Sequence, residues 1–389
     1  TSMMAGGGLA AGMDFKHIIL ATLGGNIFLS IIAVLISIIA CKTGLTFALL
    51  TRYSFGSTGS KAASIFVPVV NLGWYTIQAA TYGHFVAQVF HMGQVGEGIC
   101  MAVSAIVMGI FAMCGIGAIT ILGYIAIPAI VFLSIATAIR SLGVIGGMEA
   151  LFAYVPSSDM PLFTGITAVI GTWVLSTATC IADIMRYAKD TKAAVSATLT
   201  GLLGGNILMI VCGAIAAIAM QNSDLTVILL GFGLVIPSLI LMTTNIFTTN
   251  AANLYSTSLN LSNAFKMERK KMLAILLVLS ALATLTKPYE IGFLFTFLNI
   301  LGTVVPPLSG IILSDYFLVH KGHYAAYDKA SFCKWNPVPW ITWAISIALV
   351  YMIPFGLPSL NGIILGAVLY TALMAISKQR VTTNLAEEA

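Results

Sequence analysis

Residues 237–261 read PSLILMTTNIFTTNAANLYSTSLNL, an apolar lead-in followed by a crowd of Thr, Asn and Ser. As a helix, this stretch carries a polar island at a depth where its neighbours are hydrocarbon. Polar groups there are costly unless they face a protein interior or a water-filled path, so they mark functional sites. Neutral hydroxyls and amides, in place of charges, suit a desolvated cation and a small polar ring. The rest of the chain supports that depth: 59% is hydrophobic, 8% is charged and mean hydropathy is +1.00. Soluble domains sit near about 45–50% apolar, so an ordinary soluble domain is excluded.

Apolar runs of about 20 residues, enough to cross a bilayer, recur at 15–40, 61–90, 97–114, 116–139, 162–187, 195–220, 225–256, 271–286, 289–317, 338–354 and 358–377. They predict one continuous all-α membrane domain over 1–389. Residues 1–13 (TSMMAGGGLAAGM) begin without an initiator Met in an apolar context. They read as the outer half of a truncated first span, which makes about twelve in all.

Charge orients the spans. With the loop after the second span in the cytoplasm and the rest alternating, only Lys16, Arg140 and Lys287 of the 18 Lys and Arg lie outside, as the positive-inside rule requires. The net charge of +5 then belongs to cytoplasmic loops and gives no sign of nucleic acid. The longest polar insert, His320–Val338, falls on that side. Six cysteines form no CxxC pair and suggest neither a disulfide framework nor a zinc site.

Glycine clusters where helices break. Gly6-Gly7-Gly8 lies in the partial first span; Gly165, Gly171 and the run Ser176-Thr177-Ala178-Thr179 lie in the sixth. Those spans correspond if the chain repeats every five helices, and paired discontinuous helices point to a binding site between inverted repeats. Close helix packing is the other reading of such glycines.

In the eighth span, a turn of about 100° per residue puts Asn245, Thr248 and Thr249 on one face, with Ser256 continuing it. Hydroxyls and amide oxygens there suit sodium, a hard cation. Thr can instead bond back to its own helix; the doubled TTN-x-x-TTN run favours a site. In the third span, Asn71, Trp74 and Gln78 fall at i, i+3 and i+7, followed by Tyr82 and Phe85. An indole beside two amides offers a planar heterocycle a stacking face and paired donors and acceptors. Trp173, beside Thr172 and Gly171, offers a second stacking face. Asp183, Arg186 and Asp315 read as structural groups at span ends, and His84 and His91 as neighbours of headgroups or loops. No acidic residue sits at mid-span, which argues against a carboxylate proton relay. No HExxH, GxSxG or paired carboxylates suggest an enzyme.

Five segments carry a resemblance: KTGLTFALLTRYSFG (42–56), NLGWY (71–75), GTWVLSTATCIADIMRYAKD (171–190), NIFTTNAANLYSTSL (245–259) and PPLSGIILSDYFL (306–318). Spread in order over nearly the whole chain, they resemble the nucleobase:cation symporter family and, within it, bacterial cytosine permeases. The resemblance implies a leucine-transporter-like fold of two inverted five-helix repeats, here 1–139 (truncated) and 162–317, plus two helices at 338–377. It implies alternating access in the bacterial cytoplasmic membrane, by a monomer in the lipid bilayer. It implies that Trp74 and Trp173 stack on the substrate, that Asn71, Gln78, Thr172 and Asn250 contact it, and that Asn245, Thr248 and Thr249 hold the co-transported sodium. Trp173 stands where cytosine permeases carry Phe, and Asn71 where they carry Gln. With Gln78, these make the site resemble the hydantoin-transporting branch. The expected activity is sodium-coupled import of a nucleobase, cytosine first. Its rivals are another planar heterocycle (hydantoin, purine or other pyrimidine) and an amino acid or amine carried by the same fold.

Overall fold

A computed structural model describes residues 2–113, 116–222, 235–353, 355–377 and 382–384. The chain forms two compact units, each discontinuous in sequence: Thr1–Ile19, Ile65–Met160 and Leu208–Thr296 make the first, and Leu20–Ser64, Pro161–Ile207 and Phe297–Ala389 the second. Among the described residues nearly all structure is helical; β1 (Ala330–Phe332) pairs antiparallel with β2 (Thr382–Asn384).

The helices in order are α1 (Ser2–Gly12), α2 (Phe15–Thr43), α3 (Phe47–Val89), α4 (Gln94–Met113), α5 (Ile116–Ile145) and the short α6 (Met148–Phe152). Then come α7 (Leu162–Leu175), α8 (Ile181–Met185), α9 (Thr191–Leu199), α10 (Ile207–Met220), α11 (Val235–Phe265), α12 (Arg269–Thr284), α13 (Ile291–Ser314), α14 (Val338–Met352) and α15 (Pro358–Ser377). Among the described residues, five stretches are long and apolar enough to cross a membrane: Phe15–Thr43, Leu162–Met185, Thr191–Met220, Ile291–Val319 and Pro358–Ser377. Within α4 and α5, Gln94–Ile110 and Ile130–Ile145 are apolar, and α14 (Val338–Met352) is a shorter apolar helix. Helices α3 and α11 are long, but the polar residues that make them interesting also lower their hydropathy. Residues 225–234 of the expected eighth span lie outside the described residues.

Helix α2 shows how the sequence sorts its faces. Leu20, Leu23, Ile27 and Ile31 are exposed, whereas Thr22, Asn26 and Ser30 are buried. The outward stripe is apolar, as lipid favours, and the inward face carries these polar residues among buried apolar ones such as Ile18, Leu29, Ile32 and Ile36.

The expected break at Gly6–Gly8 is not seen: α1 runs unbroken from Ser2 to Gly12. These glycines permit close approach instead. A Cβ on Gly6 would meet the Ile210 carbonyl oxygen at 2.0 Å, and one on Gly213 the Met3 carbonyl oxygen at 2.1 Å, so the α1 and α10 backbones touch. In the sixth span the interruption falls where the sequence suggests and takes a milder form. A π-helical turn at Ser176–Cys180 joins α7 to α8, while Gly171 lets α7 approach the Leu298 carbonyl oxygen.

Helix α3 is 43 residues long and leaves helical geometry at Gly56, with φ 81° and ψ 174°. That backbone region is essentially reserved for glycine. The polar insert folds onto this kink: Ser57 N donates to Cys333 O and Thr58 N to Lys334 O, each at 2.8 Å, and Asn336 Nδ2 donates to Ser54 O at 2.8 Å. A Cβ on Gly56 would lie 2.7 Å from Cys333 O. Burial raises the Cys333 thiol above its ordinary pKa, which slows its chemistry. Gly56→Ala should therefore cost roughly 1–3 kcal/mol and speed maleimide labelling of Cys333, read against the same substitution in a Cys333→Ser background. Unchanged labelling would show that the insert does not depend on this kink.

Candidate functional site

The first unit holds the third-span stripe and the polar island, and three polar contacts join them. Tyr82 Oη and Thr243 Oγ1 lie 2.9 Å apart. Asn250 Nδ2 donates to Tyr75 O at 3.2 Å, and Thr257 Oγ1 reaches Pro68 O at 3.4 Å. Residues 243, 250 and 257 ascend by sevens as 82, 75 and 68 descend by sevens. Seven residues are nearly two helical turns, so α3 and α11 run antiparallel with one polar rung every two turns. Around the rungs, Tyr75, Ala79, Ala251, Leu254 and Leu261 share a buried apolar cluster with Ala105 and Met108 of α4. Tyr75 Oη also donates to Ala105 O.

This ladder sorts the candidates. Asn250 is fully buried (0% exposed) in it, its donor held by Tyr75 and by Met108 Sδ at 3.2 Å. Its Oδ1 is buried without a hydrogen-bond partner. On α3, Asn71 and Trp74 are buried and Gln78 is half-buried. All three lie on the flank of the ladder face, by helical geometry. On α11, Asn245, Thr248 and Thr249 lie about 100–160° around the helix from Asn250. The Thr249 side chain is half-buried; those of Asn245 and Thr248 lie outside the described residues. An uncharged set of hydroxyl and amide oxygens fits a hard monovalent cation, whereas no group of three or more His, Cys, Asp or Glu is assembled among the described residues.

The second unit holds Thr172 and Trp173. Trp173 is 43% exposed, and its Nε1 donates to Asn206 Oδ1 at 3.0 Å. Asn206 Nδ2 donates to Asn26 Oδ1 at 2.8 Å and lies 3.4 Å from Thr172 Oγ1. Thr172 turns its own hydroxyl to Val169 O at 2.6 Å, and Asn26 Nδ2 donates to Thr22 O at 2.9 Å. Asn206 closes a π-helical segment, Thr200–Asn206.

The charged candidates take structural posts. Asp183 Oδ1 accepts from Phe47 N at 2.9 Å, capping the start of α3, and Arg186 Nε reaches the Asp183 carbonyl at 3.3 Å. Asp315, fully buried, accepts from Tyr324 Oη at 2.6 Å and Tyr370 Oη at 2.7 Å. His84 meets a loop, one of its two expected surroundings: it is buried, 2.7 Å from Glu97 Oε1 and stacked on Tyr289 in the turn after α12.

A sequence profile described as permeases for cytosine/purines, uracil, thiamine and allantoin matches residues 1–374. The chain belongs to this permease family, the nucleobase:cation symporters. It is a multi-pass membrane transport protein and not an enzyme. This permease is 30% identical over 384 residues to the cytosine permease of Escherichia coli K12, covering 99% of this chain and 90% of that one. It is 24% identical over 407 residues to the hydantoin permease of Microbacterium maritypicum, covering 95% and 82%. Among solved structures it resembles Mhp1, a nucleobase-cation-symport-1 family transporter, in a closed conformation with bromovinylhydantoin bound. The TM-score there is 0.81 at 20% identity, covering 99% of this chain and 91% of that one. Against inward-facing Mhp1 the TM-score is 0.84, also at 20% identity, with 97% and 87% covered. The fold is accordingly the leucine-transporter-like one, two inverted five-helix repeats plus two further helices.

In this permease fold the second and seventh spans correspond, and that correspondence exposes a signal that single-span reading misses. Leu23-Gly24-Gly25-Asn26-Ile27 recurs as Leu203-Gly204-Gly205-Asn206-Ile207, and the two asparagines are hydrogen-bonded to each other. A lone Asn in an apolar span draws little notice; the same pentapeptide at repeat-related positions does.

Interhelical polar bonds in membranes contribute about 0.6–2 kcal/mol each. Asn250→Leu should therefore destabilise the permease by about 1–2 kcal/mol in a detergent-unfolding titration, and Tyr82→Phe by less, because that rung is only partly buried. Equal stability of Asn250→Leu and the parent would remove the ladder as a structural element.

Proposed function

We propose that this chain is a secondary active symporter that imports a nucleobase, cytosine first, coupled to sodium by alternating access. The observation that carries this reading is its 30% identity to a cytosine permease across 99% of its length. The proposed setting is the bacterial cytoplasmic membrane, with a monomer embedded in the lipid bilayer. In the first unit, Trp74 supplies a stacking face, Asn71 and Gln78 read the ring's edge, and Asn250 contributes its unpaired Oδ1. In the second unit, Trp173 is assigned a stacking role and Thr172 backs it. Asn245, Thr248 and Thr249 are assigned to the sodium that travels as cargo.

Coupling then needs no chemistry. An ion drives a conformational equilibrium only by binding one state more tightly than the other, so sodium has to favour the state that takes substrate from outside. A second reading, a hydantoin or other larger planar ring, is favoured by Trp173, which offers more stacking area than a Phe would, and by the hydantoin bound to Mhp1.

Uptake of labelled cytosine into proteoliposomes should rise with an inward sodium gradient and fall when unlabelled cytosine is added. Stronger competition by a hydantoin would select the second reading, and competition by amino acids alone would defeat both. Thr249→Ala should reduce sodium stimulation at least tenfold, the scale of about 1.4 kcal/mol lost at one ion ligand, with little change in melting temperature. Sodium dependence equal to the parent's would remove Thr249 from the ion site.

A further inference from the structure

We propose that Asn206, itself held by Asn26, is the positioning residue that fixes the plane of the Trp173 indole and so sets which rings the permease accepts. The proposal rests on the stacking role given to Trp173 above. An indole has one donor and no acceptor. That donor is committed to Asn206 Oδ1 at 3.0 Å, while 43% of the side chain stays exposed. Trp173 therefore has a face to offer but no edge with which to read a heterocycle. Its χ angles are tied at the nitrogen end, so the face it offers has one orientation.

The polarity of the chain behind it is unambiguous. Asn206 spends its oxygen on the indole and its nitrogen on Asn26 Oδ1 at 2.8 Å; Asn26 spends its nitrogen on the Thr22 carbonyl at 2.9 Å. Flipping either amide would set like atoms against each other, so the network dictates which atom is oxygen and which is nitrogen. Asn206 is 5% exposed and Asn26 0%. Neither has water at hand to replace a lost partner, which makes the arrangement stiff. Both ends of the link also meet widened turns: Trp173 lies three residues before the π turn at Ser176–Cys180, and Asn206 ends the one at Thr200–Asn206. Such turns recur at functional sites because they re-aim side chains that a regular helix would leave in register.

A double-mutant cycle on the purified full chain tests the link, with equilibrium binding of labelled cytosine and of a 5-substituted hydantoin as the readout. Asn206→Leu should weaken cytosine binding about tenfold and change the cytosine-to-hydantoin preference. In a Trp173→Phe background, which lacks the indole donor, the same substitution should cost less than about twofold, the non-additivity expected of groups in one network. Asn206→Asp should restore most of the loss, because a carboxyl buried in apolar surroundings stays protonated and keeps both an acceptor and a donor. An equal tenfold loss in both backgrounds would overturn the positioning role. A ligand-free measurement separates this from the transport reading. The indole N–H resonance that disappears in Trp173→Phe should move upfield in Asn206→Leu and stay near the parent position in Asn206→Asp. An unmoved resonance refutes the anchor itself. A resonance that moves in a parent that binds no heterocycle refutes the transport reading and the claim on ring selection with it. Should Asn206→Leu not fold, Asn26→Leu replaces it, with the same direction and a smaller effect expected.

Discussion

Inside a bilayer there is no water to complete a hydrogen bond, so each polar group must find its partner within the protein. Much of this permease follows from that requirement. Its two longest helices, α3 and α11, are also among its most polar, and they meet by spending their polar groups on each other: Tyr82 with Thr243, Asn250 with Tyr75, Thr257 with Pro68. The spacing of seven on both strands of the ladder is a consequence of helical pitch. A polar group that returns to the same face every two turns can satisfy a partner helix without disturbing the apolar residues between.

The same requirement divides the polar island into two faces. One faces α3 and is consumed by packing. A second face carries Thr249, whose side chain is half-buried. A run of alternating Thr and Asn therefore presents more than one face, and its composition alone does not tell which of them packing uses. In the second unit the solution is an amide relay. Two asparagines from repeat-related spans, each embedded in the same Leu-Gly-Gly-Asn-Ile sequence, pair with one another and end on the Trp173 indole. Beside Asn26, Gly25 lets its helix come close to Val169; Gly204 and Gly205, beside Asn206, have open space where a Cβ would stand.

Reading the residues in order went far for the fold and less far for the site. Hydropathy located some helices to within a few residues, as the expected 15–40 is Phe15–Thr43 and 195–220 is Thr191–Met220, but it missed the early start of the third span, which runs Phe47–Val89 against an expected 61–90. The interruption after Trp173 was legible from its hydroxyl run. Gly6–Gly8 misled because glycine serves both broken helices and tight packing, and only the Ile210 carbonyl lying where a Cβ would stand decides between them. For His84 the sequence allowed headgroups or loops, and its partners Glu97 and Tyr289, 13 and 205 residues away, are visible only in the structure. Asn206 escaped notice because one amide in an apolar span has no periodic pattern to announce it.

By itself the sequence determined that this chain is helical and crosses a membrane, and which few spans carry polar groups. Those properties depend on composition and short-range periodicity, which are local along the chain. The tertiary structure decided which of those polar groups are already spoken for. Whether Asn250 offers its amide to a solute or to Tyr75, and whether Trp173 keeps its N–H free or gives it to Asn206, depends on atoms brought together from distant spans. A hydrogen bond is satisfied by distance and angle, and neither is written in the order of residues.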